Sequence, residues 1–427
     1  MKDMSFELVN VSQLRIGMHV ELELGWMAHP FPTSSFKISS DKQIETIRSL
    51  GLERVKFVPS KSDAEFDGQA RAAAAEQADA AAAREAAAAE RNRRKLHSDL
   101  LGAQNRSLMV CERRFGEAIR QYKQTVEQVA ARPREAAEQC LNMVNGLVDE
   151  MLVEGESAIR LLSEGMGDRA AMHPVNVTVI SLLLGKALHL PHSDMVDLGM
   201  AAFLHDIGKI QLPDRVRWLE ENFSTAEYKL YQEHVAQGLL LAKRMELSPG
   251  AMLALAQHHE MVDGNGFPGK LKGDKMSMPA KILALINRYE NLCNPSRPAA
   301  AMTPHEALSL IFAQLKARFD GVALGAFIRM MGVYPPGSVV QLVDERYAIV
   351  VSVNSTRPLK PRVVVHDPAV ARHEALILDL ETTPHVGIRR SLKPAALPRE
   401  SLEYLSPRQR ISYFFESAQT PQVEALQ

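Results

Sequence analysis

Cysteine is scarce. The 427 residues hold three, Cys111, Cys140 and Cys293, far apart and with no C-x-x-C pair, which excludes a disulfide framework and a thiolate zinc site. That usage fits a reducing, cytoplasmic compartment. An excess of either charge is missing too: 50 Lys and Arg stand against 51 acids, so the whole-chain balance gives no reason to expect a nucleic-acid polymer or an acidic membrane surface as partner. No run approaches the ~18–20 uninterrupted apolar residues of a membrane span, and no apolar stretch follows the first residues as a leader would. The reading is a chain without a membrane span. A hydrophobic content of 46% excludes disorder throughout, and the length predicts two or three domains.

What is present falls into segments. From Phe6 to Pro59, short runs such as Met18–Leu24 alternate with period two around one helical run, which predicts a small α+β module over 1–66. At Asp67 the composition shifts to fourteen alanines among the twenty-one residues 70–90, the mark of a long solvated helix. Over 91–134, eleven basic residues face four acids, and Leu101, Leu108, Phe115, Tyr122 and Val129 recur every seventh residue. That heptad stripe predicts either a homodimer paired through the 97–130 helix or packing on the chain's own domain. The helical segment spans 67–139.

From 140 to 332 the pattern is continuously helical. Ser224-Thr-Ala-Glu227 and Thr303-Pro-His-Glu306 are capping boxes, and Ser248-Pro249 places proline at a first helical position. Residues 333–380 read as a short antiparallel meander, and 381–427, rich in Pro, Ser, Glu and Gln, as a loosely held tail. The expected fold is mainly α: an all-α domain preceded by the α+β module and long helix, and followed by a short β element.

The helical segment concentrates histidines at or near predicted helix ends: His173, His205-Asp206, His234 and His258-His259. Five imidazoles and one carboxylate suit divalent ions, since neutral imidazole favours Zn, Fe or Ni and a carboxylate can bridge two ions of a harder kind such as Mn or Mg. The series His173, His205-Asp206-Ile-Gly-Lys209, His234, His258-His259-Glu260-x-x-Asp263-Gly-x-Gly-Phe267-Pro268 resembles the HD-GYP subgroup of the HD phosphohydrolase superfamily. The likeness runs from about Ala158 to Gly332, and the first sixty residues with the long helix resemble the accessory domain that often precedes it.

The resemblance implies a metal-dependent phosphodiesterase that hydrolyses cyclic di-GMP to pGpG or GMP by attack of a metal-bridging hydroxide, with diguanylate cyclase-type signalling partners. It makes His173, His205, Asp206, His234, His258, His259 and Asn287 ligands of two divalent ions, Fe, Mn or similar, with Asp206 bridging. Lys209 would offset charge on the attacked phosphate, and Arg297 would contact the nucleotide. Three positions depart from the family pattern. Phe267 replaces a tyrosine, Asn287 an aspartate ligand, and Arg169 the glutamate that accompanies a third ion. The rival expectation is a catalytically degenerate receptor or interaction protein; a general nucleotide phosphohydrolase is a third.

Overall fold

The computed structural model describes residues 6–25, 27–66, 68–153, 155–165, 167, 169–217, 223–354 and 357–417. It divides into two compact units, Met1–Leu96 and His97–Gln427. In the first, strands β1 (Glu7–Asn10), β2 (His19–Glu21), β3 (Ser35–Lys37) and β4 (Arg54–Phe57) form an antiparallel sheet in the order β1-β4-β2-β3. Helix α1 (Asp41–Ser49) buries Ile44 and Ile47 in a core with Val20, Ile38 and Phe57. This is the α+β arrangement that the alternation predicts. Helix α2 (Gly68–Gln128) begins in the first unit and ends in the second.

The second unit is built on helices α3 (Pro133–Leu152), α4 (Arg169–Ala187), α5 (His192–Leu204), α6 (Thr225–Arg244), α7 (Pro249–Gln257), α8 (Met278–Cys293), α9 (Pro304–Gln314), α10 (Gly321–Met331) and α11 (Arg399–Leu405). Their starts follow the local chemistry: Ser224 and Thr303 close reciprocal boxes with Glu227 and Glu306, and Ser248 accepts from the Ala251 amide ahead of α7. Among the described residues α4 alone is long and apolar enough to cross a membrane, and 83% of that stretch is buried inside the protein. Its apolarity serves the core, where every residue from Ala171 to Gly185 is buried.

One open alternative is narrowed and two expectations are corrected. The heptad stripe is internal: Phe115, Ile119, Tyr122 and Val129 are buried in the core of the second unit, with Leu108 and Val126 packed against it. The Tyr122 ring meets Phe203 of α5 edge-on at 5.4 Å. The stripe pairs with the chain's own helices, so its burial needs no second copy. Second, the segment read as continuously helical contains a strand, β5 (Ser157–Leu161), which pairs with β7 (Tyr347–Asn354) and β11 (Tyr413–Ser417). Its four buried residues Ala158–Leu161 show no alternation because both faces are covered.

Third, the tail is structured as far as residue 417. Strands β6 (Val339–Leu342), β8 (Arg362–Val365), β9 (Leu378–Asp379) and β10 (Ile388–Leu392) complete a seven-stranded sheet whose main path runs β10-β6-β7-β5-β11, with β8 and β9 branching from β7. In β11, Tyr413, Phe414 and Phe415 are all buried. A five-residue strand among turn-forming residues leaves little periodicity to read.

Candidate metal centre

Two helices end at the site and two pass through it, so His234 is not near a helix end, contrary to expectation. His205 is the C-cap of α5 and His258 the C-cap of α7, where the exposed carbonyls of the last turn favour a cation. His234 comes from the middle of α6 and His173 from the first half of α4. Two glycines permit the approach of the backbones. A Cβ on Gly208 would lie 2.0 Å from the His234 carbonyl oxygen, and one on Gly266 would lie 2.6 Å from that of His259.

One device sets the tautomers. The Nδ1 atoms of His205, His234 and His258 contact the carbonyls of Ala202, Tyr231 and Leu255, each three residues earlier, at 2.7, 2.6 and 2.6 Å. A carbonyl only accepts, so each Nδ1 carries the proton and each Nε2 presents a lone pair. His173 Nδ1 is held in the same way by Glu290 of α8. The lone pairs then face one another: His173 Nε2 lies 3.0 Å from His205 Nε2, and His234 Nε2 lies 3.2 Å from His258 Nε2. Facing lone pairs at that separation call for a cation between them.

Asp206 joins the two pairs. Its Oδ2 lies 3.5 Å from both His173 Nε2 and His205 Nε2, and its Oδ1 lies 3.8 Å from His234 Nε2. His173, His205 and Asp206 form one ligand group; Asp206, His234, His258 and His259 form a second, with all ligand atoms of each group within 4.8 Å of one another. Among the described residues, Asp206 Oδ1 and His259 Nε2 are buried polar atoms with no hydrogen-bond partner. Orphaned donor atoms aimed into a shared space fit bound ions.

The electrostatics agree. Burial pushes His205 down to about 4 and His234 and His258 to about 3, so all three are neutral ligands at physiological pH. Burial opposes ionisation of Asp206, but its charged surroundings, the Lys209 ammonium first, outweigh it and hold the carboxyl well below its usual range. Lys209 Nζ sits 2.6 Å from Asp206 Oδ2 and 5.3 Å above the Tyr231 ring. Burial lowers its pKa, and Asp206 partly offsets that.

The remaining expected residues lie as follows. Asn287 is buried on α8, and its Oδ1 accepts from Asn291 Nδ2 at 2.7 Å; Asn291 Oδ1 in turn accepts from Arg169 Nη2 at 3.1 Å. The two departures from the family's acidic pattern are therefore linked through Asn291. Phe267 stacks on the His259 ring at 4.4 Å. Glu260 is buried and accepts from the amides of Gly269 and Leu271, which fixes the loop that carries Phe267. Arg297 is exposed at the start of the turn after α8. Sequence reasoning missed Glu290, Asn291 and Asn294. The available signal was spacing, because offsets of three, four and seven from Asn287 place all three near one face of α8.

Comparison with known proteins bears on the family. Residues 124–322 match the model of the HD domain, and residues 8–140 match a domain of unknown function, DUF3391. Residues 124–322 are thus similar to the HD domain family. The chain is similar to the cyclic di-GMP phosphodiesterase PA4108 of Pseudomonas aeruginosa, which is 26% identical over 366 residues, 84% of each chain. The cyclic di-GMP phosphodiesterase PdeB of Borreliella burgdorferi is 21% identical over 52% of this chain and 59% of its own. A 3'3'-cGAMP-specific phosphodiesterase of Vibrio cholerae is 28% identical over 39% of this chain and 36% of its own. Among solved structures, Bd1817, an HDG"Y"P protein from Bdellovibrio bacteriovorus, aligns with 76% of the chain and 98% of its own length, at a TM-score of 0.42 and 14% identity.

Proposed function

We propose that this HD-domain protein is a metal-dependent phosphodiesterase that hydrolyses cyclic di-GMP, releasing pGpG, GMP or both. The observation that carries the reading is the pair of ligand groups sharing Asp206. The substrate class follows from the relatives, foremost the Pseudomonas phosphodiesterase aligned over 84% of both chains.

His173, His205 and Asp206 would hold one ion, and Asp206, His234, His258 and His259 the other, with Fe or Mn suiting the mixed imidazole and carboxylate set. Bound divalent ions supply Lewis acidity toward a phosphodiester and lower the pKa of water toward neutrality. The chain's own groups do the rest. Asp206 presents one oxygen to each side and stays ionised, and Lys209 places a cation beside it to meet charge developing on the phosphate. Phe267 and Tyr231 wall the His234–His259 side with rings. Arg169 holds a guanidinium where a third ion's carboxylate would be needed, which supports two ions rather than three. Asn287 and Arg297 would add an amide ligand and a phosphate or guanine contact, respectively.

The test is product chromatography on anaerobically purified protein given cyclic di-GMP, 3'3'-cGAMP and linear dinucleotides. Metal-dependent conversion of cyclic di-GMP to pGpG or GMP supports the reading. Binding without turnover at full metal occupancy would make the chain a receptor, and preference for 3'3'-cGAMP would align it with the Vibrio relative.

A further inference from the structure

The strand β11 lies outside the residues matched to the HD domain, yet its start reaches the metal centre through two asparagines. Asn176 stands one turn after His173 on α4, and Asn294 one turn after Glu290 at the end of α8. Both are buried. Asn294 Nδ2 donates to Glu290 Oε1 and to the Ile411 carbonyl, both at 2.8 Å, while its Oδ1 accepts from the Ile411 amide at 2.8 Å. Asn176 Nδ2 donates to the Ile411 carbonyl at 2.9 Å and to Glu290 Oε1 at 3.3 Å, and its Oδ1 accepts from the Tyr413 amide at 3.1 Å. The two side chains thus offer Ile411–Tyr413 the alternating donors and acceptors of a neighbouring strand. Glu290 spends its other oxygen on His173.

A buried carboxylate bonded on one oxygen only can turn about its side-chain torsions and carry the imidazole with it; bonded on both, it has one orientation. The amides that fix Glu290 are themselves satisfied only while Ile411–Tyr413 is docked, because undocking strands several buried polar groups at once.

We propose that the Ile411–Tyr413 segment is a positioning element of the metal centre: through Asn176 and Asn294 it fixes Glu290, and through Glu290 the ring of His173. Docking of the C-terminal strand therefore sets the metal affinity of the His173–His205–Asp206 group, while the His234–His258–His259 group is independent of it. The inference rests on the two-ion reading above.

The experiment uses the full-length chain loaded with Mn, with elemental analysis and stopped-flow release to a chelator, and a thermal melt alongside. Asn294→Leu removes both donors and the acceptor at similar volume. One of two release phases should then quicken by about 10- to 100-fold, the usual cost of an outer-shell change, while the other keeps its native rate. Tyr413→Phe removes a hydroxyl bonded to Tyr289 and Pro336 but keeps the ring, the Tyr413 amide and every asparagine bond, so Ile411–Tyr413 stays docked and both phases should be unchanged. If Asn294→Leu does not fold, Asn294→Asp serves, since it keeps the acceptor toward Ile411 but sets a carboxylate against Glu290. Unchanged release in the Asn294 variant, or equal quickening in Tyr413→Phe, overturns the link alone. A native chain that holds no divalent ion overturns the functional reading and the link together.

Discussion

Asp206 is the side chain that both ligand groups share, and its surroundings keep it ionised while burial keeps the imidazoles of His205, His234, His258 and His259 neutral. Asn287 shows the opposite economy: an amide where a carboxylate would add charge, with its oxygen already engaged by Asn291. Changing Asn287 to Asp supplies an anionic oxygen at nearly constant volume, and the expected result is slower metal loss to chelator with a shift toward harder ions such as Mn. Unchanged loss would place Asn287 away from the ions. The depressed histidines also make a prediction for the metal-free chain. Between pH 6.5 and about 4 the unfolded chain takes up protons at His205, His234 and His258 and the folded chain does not. Stability must then fall as the pH drops through that window, by on the order of 1 kcal/mol per pH unit for each histidine. Urea midpoints at pH 7.5 and 5 check it; equal midpoints contradict it.

At the level of elements, the same local rules that make helices legible also brought the ligands together. The capping boxes at Ser224 and Thr303 and the proline start at Pro249 mark the ends of α6, α9 and α7 as read, and the His-Asp and His-His pairs fall at helix ends where the sequence pattern put them. Elements defined by partners far along the chain were hidden. The five-residue strands β5 and β11 owe their identity to partners far along the chain, each other's paired residues lying 252 to 260 positions apart, and neither alternates. The heptad stripe was legible as a stripe but silent about its partner, because a seam buried by α3 and α5 has the same period as one buried by a second copy. Phe115 is now the informative position. Truncating this fully buried ring to alanine should cost about 3–5 kcal/mol by the cavity it leaves. Denaturant unfolding checks that, and a loss below 1 kcal/mol, about the size of a surface substitution, would return the stripe to an intermolecular role.

On the scale of the molecule, residues 124–322 hold every member of the two candidate ligand groups, while Ile411, beyond them and just ahead of β11, bonds the Asn294 side chain that also holds Glu290. Spacing suggested that the histidines converge, and the structure brings them together with Asp206, since imidazoles and a carboxylate leave a chemical signature in the residues themselves. The support was invisible for the reason that asparagines carry no such signature: Asn176 and Asn294 acquire their role only when Ile411 arrives between them. The direct measurement is the number of divalent ions per chain, by elemental analysis of anaerobically purified native protein and of Asp206→Ala. Two ions in the native chain, and loss of bound metal together with all turnover of cyclic di-GMP in the variant, is the result predicted. Two ions retained without Asp206 would contradict the shared centre.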